Sequence, residues 1–400
     1  MPQSYRPTRR GLLGGGLSLT ALVASGAIPG AAFGQSAEPI KVGWFAALSG
    51  PYATGALSQD AGTHAAVQEI NDGAGVLGRK LELITRDTTG DPGKAVNFAQ
   101  ELLFSEKVNV LLGPNSSGEA LPIRDFIDEA DTVNFPTALI DSVIDPEKYP
   151  TIFRLGGSTG QQIAAGIKFT TETLGRKQIA LFVDNLSYGV LSRDLALAQL
   201  GKLGITPTYV GNVDHNKVDM GDDIGKARDA GADVMLVWTA SSGFMARILT
   251  ARGEQKWGVP AVGAPIALTE QVTQLVKPEY LDGDVLAVGF RHLILDKDGR
   301  FPPLAQKVLD DHRAIVGPQI KNGVTWILLG YSTVMLWAKA VEMAGSPDTA
   351  GVVAAIESMR DVDTAFGRMT FGPGRHDGLQ SDEYALLRVN SQRNGGYQAV

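Results

Sequence analysis

Val108 to Ser142 reads VNVLLGPNSSGEALPIRDFIDEADTVNFPTALIDS. Its opening, Val108 to Leu112, is a near-continuous apolar run without alternation, the pattern of a strand covered on both faces in a parallel sheet. The run stops at Gly113-Pro114-Asn115-Ser116-Ser117-Gly118, a turn of small and hydroxyl residues, and a helical stretch follows from Glu119 to Ala130. In an open α/β sheet, ligands sit beyond the carboxyl ends of the strands, where helix N-termini offer unpaired N–H groups and a positive dipole end. Ser116 and Ser117 are therefore candidate contacts for an anion or carboxylate. The same hydroxyls could equally cap the helix, and the local sequence leaves both readings open.

The surrounding chain repeats this strand-then-helix order. Ile40 to Leu48 reads as a buried strand that breaks at Ser49-Gly50-Pro51-Tyr52, and a helical run from Leu57 to Asn71 ends at the glycine-rich Asp72-Gly73-Ala74-Gly75. Lys80 to Asp87 is a second strand. From Pro92 to Glu106, Ala95, Phe98, Ala99, Leu102 and Leu103 keep the spacing of a helix packed on a sheet. After Pro150 the rhythm resumes, with helices at 161–174 and 188–203, strands at 178–184, 205–211 and 232–239, a helix to Arg252, and strands at 260–264 and 284–290. Asn322 to Ala344 is a long apolar helix in which Trp326 and Trp337 are read as core, and a last strand falls at Tyr384 to Val389. This alternation predicts parallel, doubly wound sheets with right-handed crossovers.

Length and composition narrow the class. Four hundred residues exceed one compact core and imply two domains. With 44% hydrophobic and 20% charged residues the chain is neither disordered nor a membrane bundle. The formal charge of −7 is not gathered into a basic face, so nucleic acid is not an expected partner. Arg6, Arg9 and Arg10 precede an uncharged stretch from Gly11 to Gly34, which reads as a cleaved export signal over residues 1–34. Its twin arginine, Arg9-Arg10, resembles a Tat signal, with Sec export as the alternative. No cysteine is present, which excludes disulfides and thiolate chemistry. No second apolar run appears long enough to span a bilayer, so the mature chain is expected to be soluble.

A series of residues along the chain also matches a known family. Ile40-Lys41-Val42-Gly43, Leu48-Ser49-Gly50-Pro51-Tyr52, Ala66 to Asn71, Gly78 to Leu83, Asp87 through Asp91-Pro92, Gly113 to Ser117 and Asp184 to Gly189 resemble, in order, branched-chain amino-acid binding proteins of ABC importers. The resemblance covers essentially the whole mature chain. It implies a type I periplasmic binding protein, an α/β fold of two doubly wound Rossmann-like lobes joined by three crossings. By analogy the N-lobe holds 38–156 and 290–365, and the C-lobe holds 157–289 and 366–400. A small solute would be clamped between the lobes, and closure would present a joined surface to a membrane permease. The expected compartment is the periplasm.

The resemblance also implies site positions. Ser117, with Ser116 and neighbouring N–H groups, matches the serine that holds a ligand carboxylate. The loop near Asp141-Ser142 matches the next set of contacts, Tyr188 the tyrosine reaching in from the C-lobe, Thr239 to Ser242 the second C-lobe contact region, and Tyr52 an aromatic wall. With Trp238, the tyrosines leave room for an aromatic or aliphatic ligand body. One departure matters: amino-acid binders carry an acid after the strand at 260–264, and this chain reads Gly263-Ala264-Pro265-Ile266-Ala267-Leu268. Either Asp141 or Asp184 replaces it, or the ligand lacks an ammonium group. The disulfide of some members also has no counterpart.

Other functions find little support. The five histidines are dispersed, with no His-x-x-x-His pair for zinc, no Gly-x-Ser-x-Gly elbow and no Gly-x-Gly-x-x-Gly after a strand. No enzyme activity, metal or cofactor is expected. The expected function is a receptor for an amino acid or a related organic or aromatic acid. A ligand-sensing subunit of a signalling system is the alternative, because fold does not settle function.

Overall fold

The computed structural model describes residues 38–50, 53–281, 283–389 and 396–400. The export signal expected at 1–34 lies outside them, as does Tyr52. Residues 38–400 form one compact unit.

Four short strands build the first sheet: β1 (Ile40–Ala46), β2 (Leu81–Asp87), β3 (Val110–Leu112) and β4 (Val133–Phe135), all parallel in the order β2-β1-β3-β4. The second sheet takes β5 (Ile179–Asp184), β6 (Tyr209–Val213), β7 (Val234–Trp238), β8 (Ala261–Gly263) and β9 (Val285–Phe290), again parallel. A small hairpin, β10 (Val362–Asp363) with β11 (Arg368–Met369), precedes β12 (Tyr384–Arg388) and β13 (Gln398–Ala399). These last two extend the second sheet antiparallel, giving the order β13-β12-β9-β8-β7-β5-β6. β1, β3, β5, β7 and β9 are buried almost throughout, which is why they read as apolar runs.

Eight helices flank the strand ends or support them: α1 (Ala53–Asp72), α2 (Pro92–Gln100), α3 (Ser117–Ala120), α4 (Arg124–Glu129), α5 (Thr159–Lys168), α6 (Ser187–Lys202), α7 (Gly221–Asp229) and α8 (Ser242–Glu254). The helix expected over 119–130 is broken into α3, a tight turn at Leu121–Ile123 and α4. Pro122 lacks the N–H that would continue the first piece. The strand expected at 205–211 starts later, because Pro207 cannot donate and pairing begins only where Thr208 N reaches Ile179 O at 2.9 Å.

The helix Ile320–Ala344 corrects one expectation. Its Gly323–Ala344 portion is long and apolar enough to cross a membrane by length and composition, yet 72% of that window is buried inside the protein. It packs along α1, where Gly55 meets Trp326, Gly62 meets Ile327, and Gln59 and Thr63 meet Gly330. A Cβ on Gly62 would stand 1.9 Å from Ile327 O, and one on Gly330 would stand 2.2 Å from Gln59 O, so two glycines let the backbones touch. Trp337 is fully buried in this core and Trp326 packs against it partly buried.

The chain passes between the sheets three times: after β4 into α5, after β9 toward the helix Ile320–Ala344, and from β11 to β12. The first and third passages pair, since Arg154 N donates to His376 O and Gly378 N to Arg154 O, both at 2.8 Å. The Arg154 side chain, fully buried, donates to both Asp377 carboxylate oxygens at 2.6 and 3.0 Å and to the carbonyls of Ala138 and Ile140 at 2.8 and 2.9 Å. Arg154→Met leaves Asp377 without its cation and the Ala138 and Ile140 carbonyls without this donor. It is expected to cost about 3–5 kcal/mol in urea unfolding. A loss below about 1 kcal/mol would show that the pair does not hold the passages together.

At the second passage His292 stacks on Phe290 at 8° and lies 4.7 Å from the Phe366 ring, centroid to centroid. Its Nδ1 faces the Phe366 carbonyl at 2.5 Å and its Nε2 faces the Thr325 hydroxyl at 3.2 Å, which fixes a neutral ring protonated at Nδ1. Burial pushes its pKa down to about 4, against the opposing pull of the Phe366 carbonyl. The unfolded chain, titrating near 6.5, therefore takes up this proton before the folded one does. Its stabilisation is complete above pH 6.5 and is lost as pH falls toward 4, by about 3 kcal/mol. Urea unfolding at pH 7.5 and 4.5 should show a smaller drop for His292→Gln than for the parent; equal drops would sink this assignment.

Candidate functional site

The order of the strands locates a crevice in each sheet. From β1 the chain goes to β2 on one side and returns to β3 on the other; from β5 it goes to β6 on one side and returns to β7 on the other. Loops that diverge at such a switch leave an opening at the carboxyl ends of the strands. The loops after β1 and β3 flank the first opening, and those after β5 and β7 the second.

In the first sheet the two loops are tied directly, since Ala47 N donates to Asn115 Oδ1 at 3.0 Å. Thr137 N, beyond β4, donates to Pro114 O at 3.0 Å and secures the far side. Ser116 occupies the N-cap position of α3 with extended backbone angles, but its side chain accepts no capping bond. The pattern Ser116-x-x-Glu119 spells a capping box that does not form. Glu119 is fully buried, and neither of its carboxylate oxygens has a hydrogen-bond partner. Of the two readings of this turn, the one in which the serine hydroxyls serve as caps is thus not realised. Ser116 and Ser117 are half-buried.

The next loop is occupied differently. The Asp141 carboxylate accepts from Ser158 Oγ at 2.5 Å and from Gly160 N at 3.1 Å, and so sits on the positive end of α5. Ser142 gives its carbonyl to Arg124 Nη1 at 2.6 Å and lines a surface depression with Arg124, Lys148 and Tyr149 that includes no other candidate residue.

In the second sheet Asp184, Tyr188 and Thr239 come together. Asp184 is 1% exposed; Leu186 N donates to its Oδ1 at 3.1 Å and the Thr239 hydroxyl donates to its Oδ2. A Cβ on Gly189 would stand 2.4 Å from Asp184 Oδ1, so that glycine lets the first turn of α6 rest on the carboxylate. Loss of water pushes the Tyr188 hydroxyl up to about 12; the Asp184 charge adds to the shift, and the Ser192 and Thr159 hydroxyls oppose it. Thr239 Oγ1 also accepts from Ser241 N at 2.9 Å, and Ser241 caps α8 through Phe244 N. Trp238, expected to leave room for a ligand, is instead fully buried beneath Gly166 and belongs to the core.

Both acids that sequence reasoning offered to an ammonium group are thus engaged by the protein itself. Reasoning from sequence passed over Asn115, Glu119 and Arg247; the Ser-x-x-Glu spacing was the one local signal available for any of them. Among the described residues no group of three or more acidic or imidazole side chains could hold a metal ion.

A family model described as a periplasmic binding protein matches residues 39–396. The chain belongs to the periplasmic binding protein family. A Leu/Ile/Val-binding protein homologue from Brucella melitensis is 25% identical over 358 residues, covering 89% of this chain and 93% of that one. Among solved structures, the leucine binding protein LivK from Thermotoga maritima superposes with a TM-score of 0.73 at 20% identity, over 90% of this chain and 97% of that one. A solute binding protein of an ABC transporter from Rhodopseudomonas palustris, in complex with p-hydroxybenzoic acid, reaches 0.76 at 21% identity, over 90% and 96%. The fold is that of the type I periplasmic binding proteins, and these relatives are solute-binding proteins, not enzymes.

In this binding protein Asp184 depends on the Thr239 hydroxyl. Thr239→Val keeps the shape and removes that donor from a buried carboxylate, and should cost about 1–3 kcal/mol in unfolding free energy. A change below about 0.5 kcal/mol would mean that Asp184 does not rely on it.

Proposed function

We propose that this periplasmic binding protein is the receptor of an ABC importer, exported through its N-terminal signal, and that it clamps a small carboxylate-bearing solute between two lobes before docking on a membrane permease. The observation that carries the reading is the turn after β3. Two half-buried serines stand at a strand-end opening where α3 begins, with neither hydroxyl used to cap it. In this reading Ser116 and Ser117 hold the carboxylate, Tyr52, Tyr188 and Thr239 meet the solute from either side, and Asp141 and Ser142 complete the wall of the first lobe. The lobes divide as 38–156 with 290–365, and 157–289 with 366–400. The ligands of two related structures, isoleucine for a binding protein from Streptococcus pneumoniae and p-hydroxybenzoic acid for the Rhodopseudomonas protein, share one feature with this solute class, a carboxylate.

The test is a thermal-shift screen of residues 35–400 against α-amino acids and the matched carboxylates lacking the amino group. A ligand that binds only the folded state raises the midpoint by mass action. Stabilisation by at least one carboxylate is the expected result; none across the panel would overturn the reading. For the best ligand, Ser117→Ala should weaken binding by about 1–3 kcal/mol with the unliganded midpoint unchanged. Unaltered affinity would remove Ser117 from the site.

A further inference from the structure

The ends of β5, β6 and β7 carry a second polar group that the proposed carboxylate contacts leave unused. Asn185 follows β5, His215 lies two residues beyond β6, and Arg247 lies on α8, which follows β7. These three are linked to one another. Asn185 Oδ1 accepts from His215 N at 2.9 Å, and Arg247 Nη2 donates to the His215 carbonyl at 2.5 Å.

Within this cluster polar nitrogens are left over. Arg247 Nε and His215 Nδ1 are both sealed from water without a hydrogen-bond partner. A guanidinium has five N–H groups, and this one has a single acceptor. Arg86, Arg154 and Arg368 each hold a carboxylate, but among the described residues none lies within 4.0 Å of Arg247. Two acids share the same strand ends, and both turn to their own loops: Asp184 accepts from Leu186 N and Asp214 from Asn216 N. The N-terminus of α8, capped by Ser241, adds its partial positive charge to that of Arg247. A Cβ on Gly243 would stand 3.3 Å from Arg247 Nη1, so the glycine leaves that nitrogen uncrowded. A half-buried cation without a counter-ion, beside unused donors at a strand-end opening, is the complement of an anion.

We propose that Arg247, with Asn185 and the His215 loop, forms a second anion subsite, and that the solute held by this protein carries two acidic groups, one at Ser116–Ser117 and a second carboxylate at Arg247. The proposal rests on the solute-receptor reading of the protein. It makes the second lobe a reader of negative charge, where an amino-acid receptor needs a reader of positive charge.

Calorimetric titration of residues 35–400 with three matched pairs tests it: pentanoate and glutarate, benzoate and terephthalate, leucine and glutamate. In at least one pair the dicarboxylate should bind about tenfold or more tightly than its partner, the gain of one charge-assisted pairing. Arg247→Gln should erase that advantage and leave the monocarboxylate within about twofold; Arg247→Lys should retain part of it. Unliganded melting of both variants reports their folding. Monocarboxylates that bind as well as dicarboxylates, in a manner weakened by Ser117→Ala, would overturn the subsite and leave the receptor reading standing. A dicarboxylate advantage that survives Arg247→Gln in a folded variant would also overturn it. No binding by any of the six acids would overturn both.

Discussion

Arg154 is the interaction on which the two-lobed arrangement rests. A guanidinium removed entirely from water is costly unless nearly every donor is matched, and this one meets both oxygens of Asp377 and two carbonyls of the segment that follows β4. Its backbone is bonded to the third passage in both directions. The joint has charge-assisted bonds on one side and aromatic packing on the other, where His376 stacks on Phe153 at 3.9 Å with its ring nitrogens facing the Ile152 carbonyl and the Glu357 carboxylate. Such a joint fastens the first and third passages to each other. In the proposed clamp, repeated closure requires that the passages stay joined.

Helix starts govern the rest of the site. α5 begins against Asp141, contributed by the loop after β4, and α6 begins against Asp184, at the end of β5. Each carboxylate answers a positive helix end and takes its donors from the protein itself. α3 receives no such cap, and Ser116 and Glu119 leave their side chains unbonded. The two serine candidates therefore lie where the fold does not satisfy itself, and the two acids read as possible ammonium partners are those that hold helix starts in place.

Much of the fold was legible because strands buried on both faces must be apolar throughout. β3, β5, β7 and β9 stand out for that reason, and the ordered series of small motifs led to the family that the 39–396 match then supported. Local chemistry was less legible. Pro122 was visible, yet its break of the expected 119–130 helix was not anticipated; the apolar length of Gly323–Ala344 does not reveal that α1 covers it. Arg154 and Asp377 are separated by 223 residues, and no spacing rule links them. The same holds for Asp141 and Gly160, or Arg247 and His215, whose pairing depends on which loops the strand order brings side by side.

Committed and uncommitted charges differ in what they can offer a ligand. An acid near a pocket is informative only after its donors have been counted, and so is a cation. Asp184 has a hydroxyl and an N–H; Asp141 has a hydroxyl and an N–H; Arg247 has one carbonyl and an unpaired Nε. Desolvation makes each of these states unequal in free energy, since a matched buried charge is tolerated and an unmatched one seeks a partner. In a receptor whose lobes close over a solute, closure excludes water from the groups that line the openings. The unmatched groups at the two openings, two serine hydroxyls in one lobe and a guanidinium in the other, are then the ones whose demands the solute must meet.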